Sequence, residues 1–363
     1  MSAPGGSDRP TLAVVGATGA IGRVVLDLLA LRADVWGDVR LAASPDDAGQ
    51  VLTVLGVPRS VEPLSRELFD DVDVAIFDLP PGLALTWAPI AVARGVQVVD
   101  NSADLRMDPD VPLVVPQVNR SALAHRPKGI VAVPGATVLT VVDALAQLHA
   151  RYELSDVVMT SFQAASGRGR RGLGRLYDEL ALVGGDRTLG QLGGDVRRLL
   201  EAELGPSPFP APLALNVIPW VGGDAGNGFT TEEAKVRDEL RKVLELPELE
   251  VDATCVRVPV AMGHSVAVHA RFGRRVVVER ARRVLHDAAR LVVLDDPDHL
   301  EFPTPVDVVG SDPTFVGRLR QPEGRPRVLD LFVCGDNLRS GAAVVLVELA
   351  EIVGGVEPAA EPG

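Results

Sequence analysis

The stretch "TLAVVGATGAIGRVVLDLL", residues 11–29, runs from an apolar strand through a turn carrying Gly16, Gly19 and Gly22 into a helix with apolar positions three and four residues apart. Glycines at such a junction let the backbone approach a pyrophosphate at the helix N-terminus, where unpaired amides and the dipole favour an anion. A glycine triplet alone also serves ordinary tight turns. Its setting between a strand and a helix is what gives it a ligand-binding reading, with Gly16, Thr18, Gly19, Ala20, Ile21 and Gly22 as the candidate cofactor contacts. Further strands are predicted at 39–44, 72–79, 96–100 and 129–133, and helices at 83–94 and 137–150. Alternation of this kind predicts an α/β fold with a Rossmann-type, doubly wound parallel sheet.

Beyond about residue 150 the rhythm changes. Long strands predicted at 155–165, 248–260, 264–273 and 327–334 are separated by fewer helices, which suggests a mixed or antiparallel sheet with helices on one face. The expected organisation is a dinucleotide-binding domain over 10–135, completed by a C-terminal helix within 336–355, and an α+β substrate and dimerisation domain over 136–335. Residues 1–9 and 356–363 are small, Pro- and Gly-rich and without periodicity, and are expected to be disordered tails.

Composition narrows the ligand. The 47% hydrophobic content suits globular cores, and the net charge of −13 with no long Lys/Arg run argues against nucleic acid. No signal peptide or membrane span is visible, the apolar segment 341–355 being broken by Glu348 and Glu351. Two cysteines, Cys255 and Cys334, make no disulfide framework and lack metal-ligand spacing, which fits a reducing cytoplasm and no metal centre. The expected ligand is a small molecule.

The stretch "GIVAVPGATVLTVVDALAQL", residues 129–148, again runs a strand into a helix. A helix N-terminus after a strand is a good mount for a nucleophile, because it stabilises an anion. The residue at that point is Ala136, whose side chain has no reactive atom.

The segments "VVGATGAIGRVVL", "DNSADLRMDPDVPLVVPQVN", "TSFQAASGRGRRG", "LALNVIPWV", "TTEEAKVRDELRKVL", "CVRVPVAMGHSVAV", "FPTPVDVVG", "VGRLR" and "DNLRSGAA" follow one another in order and at family-like separations. Together they resemble aspartate-semialdehyde dehydrogenase over about residues 11–353. The resemblance implies a glyceraldehyde-3-phosphate dehydrogenase-like fold, a two-fold dimer, NADP, and a cysteine thiolate that attacks the aldehyde before phosphate releases an acyl phosphate. It further implies Gln163 as the active-site glutamine, His264 as the acid–base histidine and Arg257, seven residues earlier, as the clamp for a substrate carboxylate. Arg106, Glu232 and Lys235 match residues around the phosphate and substrate pocket. Taken singly, each of these residues is as readily a surface charge or a structural histidine; their joint spacing supports the functional reading.

The departures from the family pattern gather at its chemistry. Asn-Pro-Asn-Cys-Ser/Thr is here Val133-Pro134-Gly135-Ala136-Thr137, and a methyl group cannot form a thiohemiacetal. The run that holds the NADP 2′-phosphate is Ser44-Pro45-Asp46-Asp47, whose two carboxylates would repel it. The Gly-Gly-Ser/Thr loop near the nicotinamide is Pro80-Pro81-Gly82, and an asparagine near the cofactor is Val345. The leading expectation is a family member without the family reaction, acting as a binding, regulatory or scaffold subunit, as a homodimer or in a heteromer with an active paralogue. Two alternatives stand beside it: non-covalent carbonyl reduction with NAD, where Asp46 or Asp47 accepts from a ribose 2′-hydroxyl, and the ordinary dehydrogenase of amino-acid biosynthesis.

Overall fold

The computed structural model describes residues 9–32 and 34–356; the expected tails fall almost wholly outside them. The chain divides into two units, one running to Gly135 and resuming at Ala342, the other spanning Ala136–Gly341. Asp336–Gly341, expected with the first unit, therefore belongs to the second.

In the first unit, buried strand β1 (Thr11–Val15) leads into α1 (Ala20–Ala30), whose Val25, Leu26, Leu28 and Leu29 face the interior. There follow β2 (Asp38–Ala43), β3 (Val51–Val54), β4 (Val57–Pro63), β5 (Val74–Phe77), α2 (Leu83–Val92), β6 (Gln97–Asp100), α3 (Pro116–Asn119) and β7 (Ile130–Ala132). The strand order is β3-β4-β2-β1-β5-β6-β7, and every pairing is parallel except β3 with β4. Strand order reverses direction between β1 and β5, and ligands of doubly wound sheets bind beyond the strand ends at such a switch point. The β3–β4 hairpin is absent from the sequence reading. Leu55 and Gly56, both at positive φ (51° and 76°), form its two-residue turn, the geometry that matches strand twist.

The second unit contains α4 (Ala136–Tyr152), β8 (Leu154–Gln163), α5 (Gly169–Val183), α6 (Asp195–Leu204), β9 (Asp224–Gly226), β10 (Phe229–Thr230), α7 (Thr231–Val243), β11 (Glu250–Arg257), β12 (His264–Phe272), α8 (Val278–His286), β13 (Leu291–Val293), α9 (Pro305–Val308), β14 (Thr314–Arg320) and β15 (Val328–Gly335). Six strands form a mixed sheet, β11-β8-β12-β15-β14-β13, with β11–β8 and β13–β14 parallel and the other pairs antiparallel. Helices α7, α4 and α8 cover one face. The other face carries Val158, Phe162, His269, Asp330 and Phe332, all partly or fully exposed. Strand β14 is also absent from the sequence expectation, as are the short β9, β10 and β13; its alternation is interrupted by Gly317, where a Cβ would lie 2.2 Å from the carbonyl oxygen of Leu294.

The last helix was expected as one run, Arg339–Val353. It divides instead into a π-helical turn, Arg339–Ala343, and α10 (Val344–Val353), which packs against β5, β6 and α1 in the first unit.

Candidate active site

At the end of β1 the chain turns at Gly16, whose φ of 95° suits glycine. The Gly16 and Ala17 amides donate to the carbonyl of Ala42 at 2.8 and 3.1 Å, tying the turn to β2. A Cβ on Gly16 would lie 2.2 Å from the Asp78 carbonyl oxygen, and one on Gly22 would lie 2.3 Å from the Gly16 carbonyl oxygen. Both glycines therefore exist for close backbone approach, which brings the N-terminus of α1, opening at Ala20 and Ile21, to the carboxyl ends of β1 and β5. This backbone cradle fits a dinucleotide pyrophosphate.

Several carboxyl groups surround it. Asp46 is exposed, whereas the Asp47 carboxylate accepts from Thr18 Oγ1 at 2.9 Å, Ser44 Oγ at 3.3 Å and Gln50 Nε2 at 2.7 Å. Asp78, at the end of β5, accepts at Oδ1 from Asn101 Nδ2 at 2.9 Å, and burial pushes its pKa up. Asp100 is buried, accepts from the Ser102 hydroxyl at 2.6 Å, and is raised by burial to about 6. Pro80 and Pro81 have no amide donor, and the amide of Gly82 is taken by Asp104 Oδ2 at 2.6 Å.

The second unit assembles a polar cluster at the start of α4. Ala136 is half-buried at the first position of the helix. Next to it, the buried Thr137 hydroxyl accepts from Gln163 Nε2 at 2.9 Å and donates to Glu232 Oε1 at 3.1 Å. Gln163 Nε2 also reaches Ser161 Oγ at 3.2 Å. Glu232 stands in the first turn of α7, whose capping box is built by Thr230 and Glu233, with Lys235 one turn further on and half-buried. The fold thus brings Gln163, Glu232 and the helix start into one network.

Arg257 and His264 flank the strand end that carries Gln163. Backbone bonds of 2.9 and 2.8 Å between Ile218 and Arg257 hold β11 in place, which is the structural work of the "LALNVIPWV" segment. Arg257 Nη1 donates to the Ala164 carbonyl at 2.6 Å, and burial lowers its pKa to about 10, so the guanidinium stays charged near neutrality. His264 Nδ1 accepts from the Ala164 amide at 3.2 Å, which leaves Nε2 carrying the proton of the neutral ring. Burial, with Arg257 assisting, lowers the His264 pKa to about 3. Four positions carry no signal in the sequence. A Cβ on Gly167 would lie 2.5 Å from Arg257 Nη1, while Ser166 Oγ donates to Asn337 Oδ1 at 3.0 Å and the Gly263 amide donates to the same oxygen at 2.9 Å. These residues sit in quoted segments, but neither periodicity nor charge marks them.

Family models described as "Semialdehyde dehydrogenase, NAD binding domain" and "Semialdehyde dehydrogenase, dimerisation domain" match residues 11–126 and 145–340. Aspartate-semialdehyde dehydrogenase of Prochlorococcus marinus is 37% identical over 95% of this chain and 96% of its own. The chain belongs to the aspartate-semialdehyde dehydrogenase family. Aspartate-semialdehyde dehydrogenase of Streptomyces akiyoshiensis is 38% identical over 94% of this chain and 97% of its own length. Among solved structures, aspartate semialdehyde dehydrogenase II of Vibrio cholerae, complexed with ASA, superposes with a TM-score of 0.87 at 32% identity, covering 96% of this chain and 98% of that one.

Within this aspartate-semialdehyde dehydrogenase family chain, the predicted site residues divide by unit. Gln163, Glu232, Lys235, Arg257 and His264 lie in the second, with Ala136. Arg106 lies in the first, buried, its Nη2 donating to the Asn101 carbonyl at 2.7 Å. Both Cys255 and Cys334 are buried, and burial raises their pKa values to about 12 and 11, so each is a protonated thiol near neutrality.

Proposed function

We propose that this chain is a family member without the phosphorylating, NADP-dependent oxidation of aspartate semialdehyde, serving as a binding, regulatory or scaffold subunit. The observation that carries the reading is Ala136 at the first position of α4, the position that family resemblance gives to the nucleophilic cysteine. A methyl group forms no bond to the aldehyde carbon, and the neighbouring Thr137 hydroxyl is engaged by Gln163 and Glu232. Arg257, Glu232 and Gln163 remain as charged and hydrogen-bonding groups suited to a small carboxylate ligand. The cytoplasm is the proposed compartment, in keeping with two buried free thiols.

Dimerisation is part of the same reading. The uncovered sheet face, with Val158 and the Phe162–Phe332 ring pair at 6.4 Å, belongs to the segment matched by the dimerisation-domain model. A two-fold contact presents one patch twice, so the same face suits a second copy or an active relative.

Purified protein supplied with aspartate semialdehyde, phosphate and NADP is expected to form no NADPH above background, a loss of several orders of magnitude as for other deleted nucleophiles. Sustained NADPH formation removes the proposal. Ala136→Cys alone is expected to recover little, because Gly135, Pro80 and Pro81 remain. A second reading, NAD-dependent carbonyl reduction without a covalent step, is favoured by the intact Gly16–Gly22 cradle. Carbonyl-dependent NADH consumption by the wild-type chain would select it over the first.

A further inference from the structure

Asp78 directly follows β5 at the switch point of the parallel sheet, under the glycine turn. Its backbone fills the space where a Gly16 side chain would stand, 2.2 Å from the carbonyl oxygen and 3.3 Å from Cβ. Its carboxylate continues along the turn, with Oδ2 3.4 Å from the position of a Cβ on Gly19. Gly19 is the N-cap of α1, a helix with no side-chain cap and no acidic residue in its first turn. The Asn101 amide holds Oδ1, which orients the other oxygen toward that helix start. Arg106, from the segment after β6, is the cation whose charge acts on Asp78, and one of its nitrogens is held by the Asn101 carbonyl. On the opposite side of the turn Asp47 is bonded to Thr18. The backbone of the turn is shaped for an anion, and carboxylates flank it on both sides.

We propose that Asp78 sets the ligand preference of this turn, its negative charge under the α1 N-terminus weakening binding of dinucleotides relative to uncharged nucleosides. The proposal rests on reading the Gly16–Gly22 turn as the nucleotide site. A pyrophosphate seated on the α1 amides would approach this partly buried carboxylate, and the like charges would repel. The helix dipole that would reward the phosphates is already partly offset by the carboxylate. An adenosine without phosphates meets neither penalty. Asp78→Asn removes the charge while keeping an oxygen that can accept from Asn101.

The test is calorimetry of NAD and of adenosine with the wild-type chain and with Asp78→Asn, together with hydrogen exchange on the NAD-loaded variant. Asp78→Asn is expected to bind NAD about tenfold or more tightly than wild type, with adenosine affinity unchanged and exchange protection at Gly16–Gly22. Equal NAD affinities with protection at Gly16–Gly22 would overturn the role of Asp78 and leave the nucleotide site standing. A parallel rise for adenosine would show a structural effect and also overturn it. Protection confined to other segments, or no NAD binding by either protein, would overturn the nucleotide-site reading beneath it.

Discussion

Thr137, not Ala136, carries the polar contacts at the start of α4, and it links Gln163 on β8 to Glu232 on α7. A buried hydroxyl satisfied on both sides holds these groups in register whether or not a nucleophile stands beside them. His264 bears on stability rather than on proton transfer alone. Its folded pKa of about 3 lies below the ordinary 6.5, so the folded state binds fewer protons, and the stability it contributes is present above 6.5 and lost as pH falls toward 3. Urea unfolding of wild type and His264→Gln is expected to show a difference that changes by roughly 1.4 kcal/mol per pH unit across that window. Identical pH profiles would mean that His264 is not held neutral by burial. Asp100, raised to about 6, works in the opposite sense and is present in both proteins, so the comparison isolates the histidine. At the other unit, Asp46 and Asp47 beside the turn are expected to make NADP bind more weakly than NAD by calorimetry. Tighter NADP binding would show that these carboxylates do not face the added phosphate.

Among the elements, the strongly apolar ones were legible and the short ones were not. β1, β5 and α4 stand out because burial on several sides demands continuous apolar runs. The β3–β4 hairpin was missed because its strands are short and mostly exposed, with apolar residues such as Val51 and Val57 facing outward, and its Leu55–Gly56 turn lacks the usual Asn or Asp. α10 shows what a pattern conceals. Its apolar run hides Glu351, whose fully buried side chain pairs with Arg32 at 2.6 Å. Burial raises the Glu351 pKa, and Arg32 partly opposes that shift. Arg32→Leu is expected to cost about 3 kcal/mol at neutral pH, because it strands a buried charge, and Glu351→Leu in the same chain is expected to recover most of it. Thermal unfolding of the single and double variants measures both. A single variant as stable as wild type would show that the pair contributes nothing.

For the whole molecule, the proposed dimer follows from a six-stranded sheet covered on one face by α4, α7 and α8 and exposing Val158 on the other. A face bearing Phe162, Phe332 and Val158 gains by excluding water, while the His269–Asp330 pair at 2.6 Å supplies polar contact within it. Light scattering at micromolar concentration is expected to give twice the 38.3 kDa chain mass. Phe162→Asp with Phe332→Asp is expected to reduce it to the single-chain value. A wild-type monomer would remove the dimer from the reading.

The glycine turn, the apolar strands and the alanine at the helix start could be read from the chain alone, because each depends on residues close in sequence. Periodicity and chain order express local backbone preference and one-sided burial, and they led to a doubly wound sheet followed by a mixed one. What only tertiary structure decided was the placing of polar side chains from distant segments. Asp78 lies 62 residues from Gly16 in the chain yet packs under its turn, and Glu232, 95 residues from Thr137, accepts a hydrogen bond from its hydroxyl. The charge beneath the turn and the polar network at α4 arise from packing, because an electrostatic interaction depends on distance in space and no local pattern encodes it.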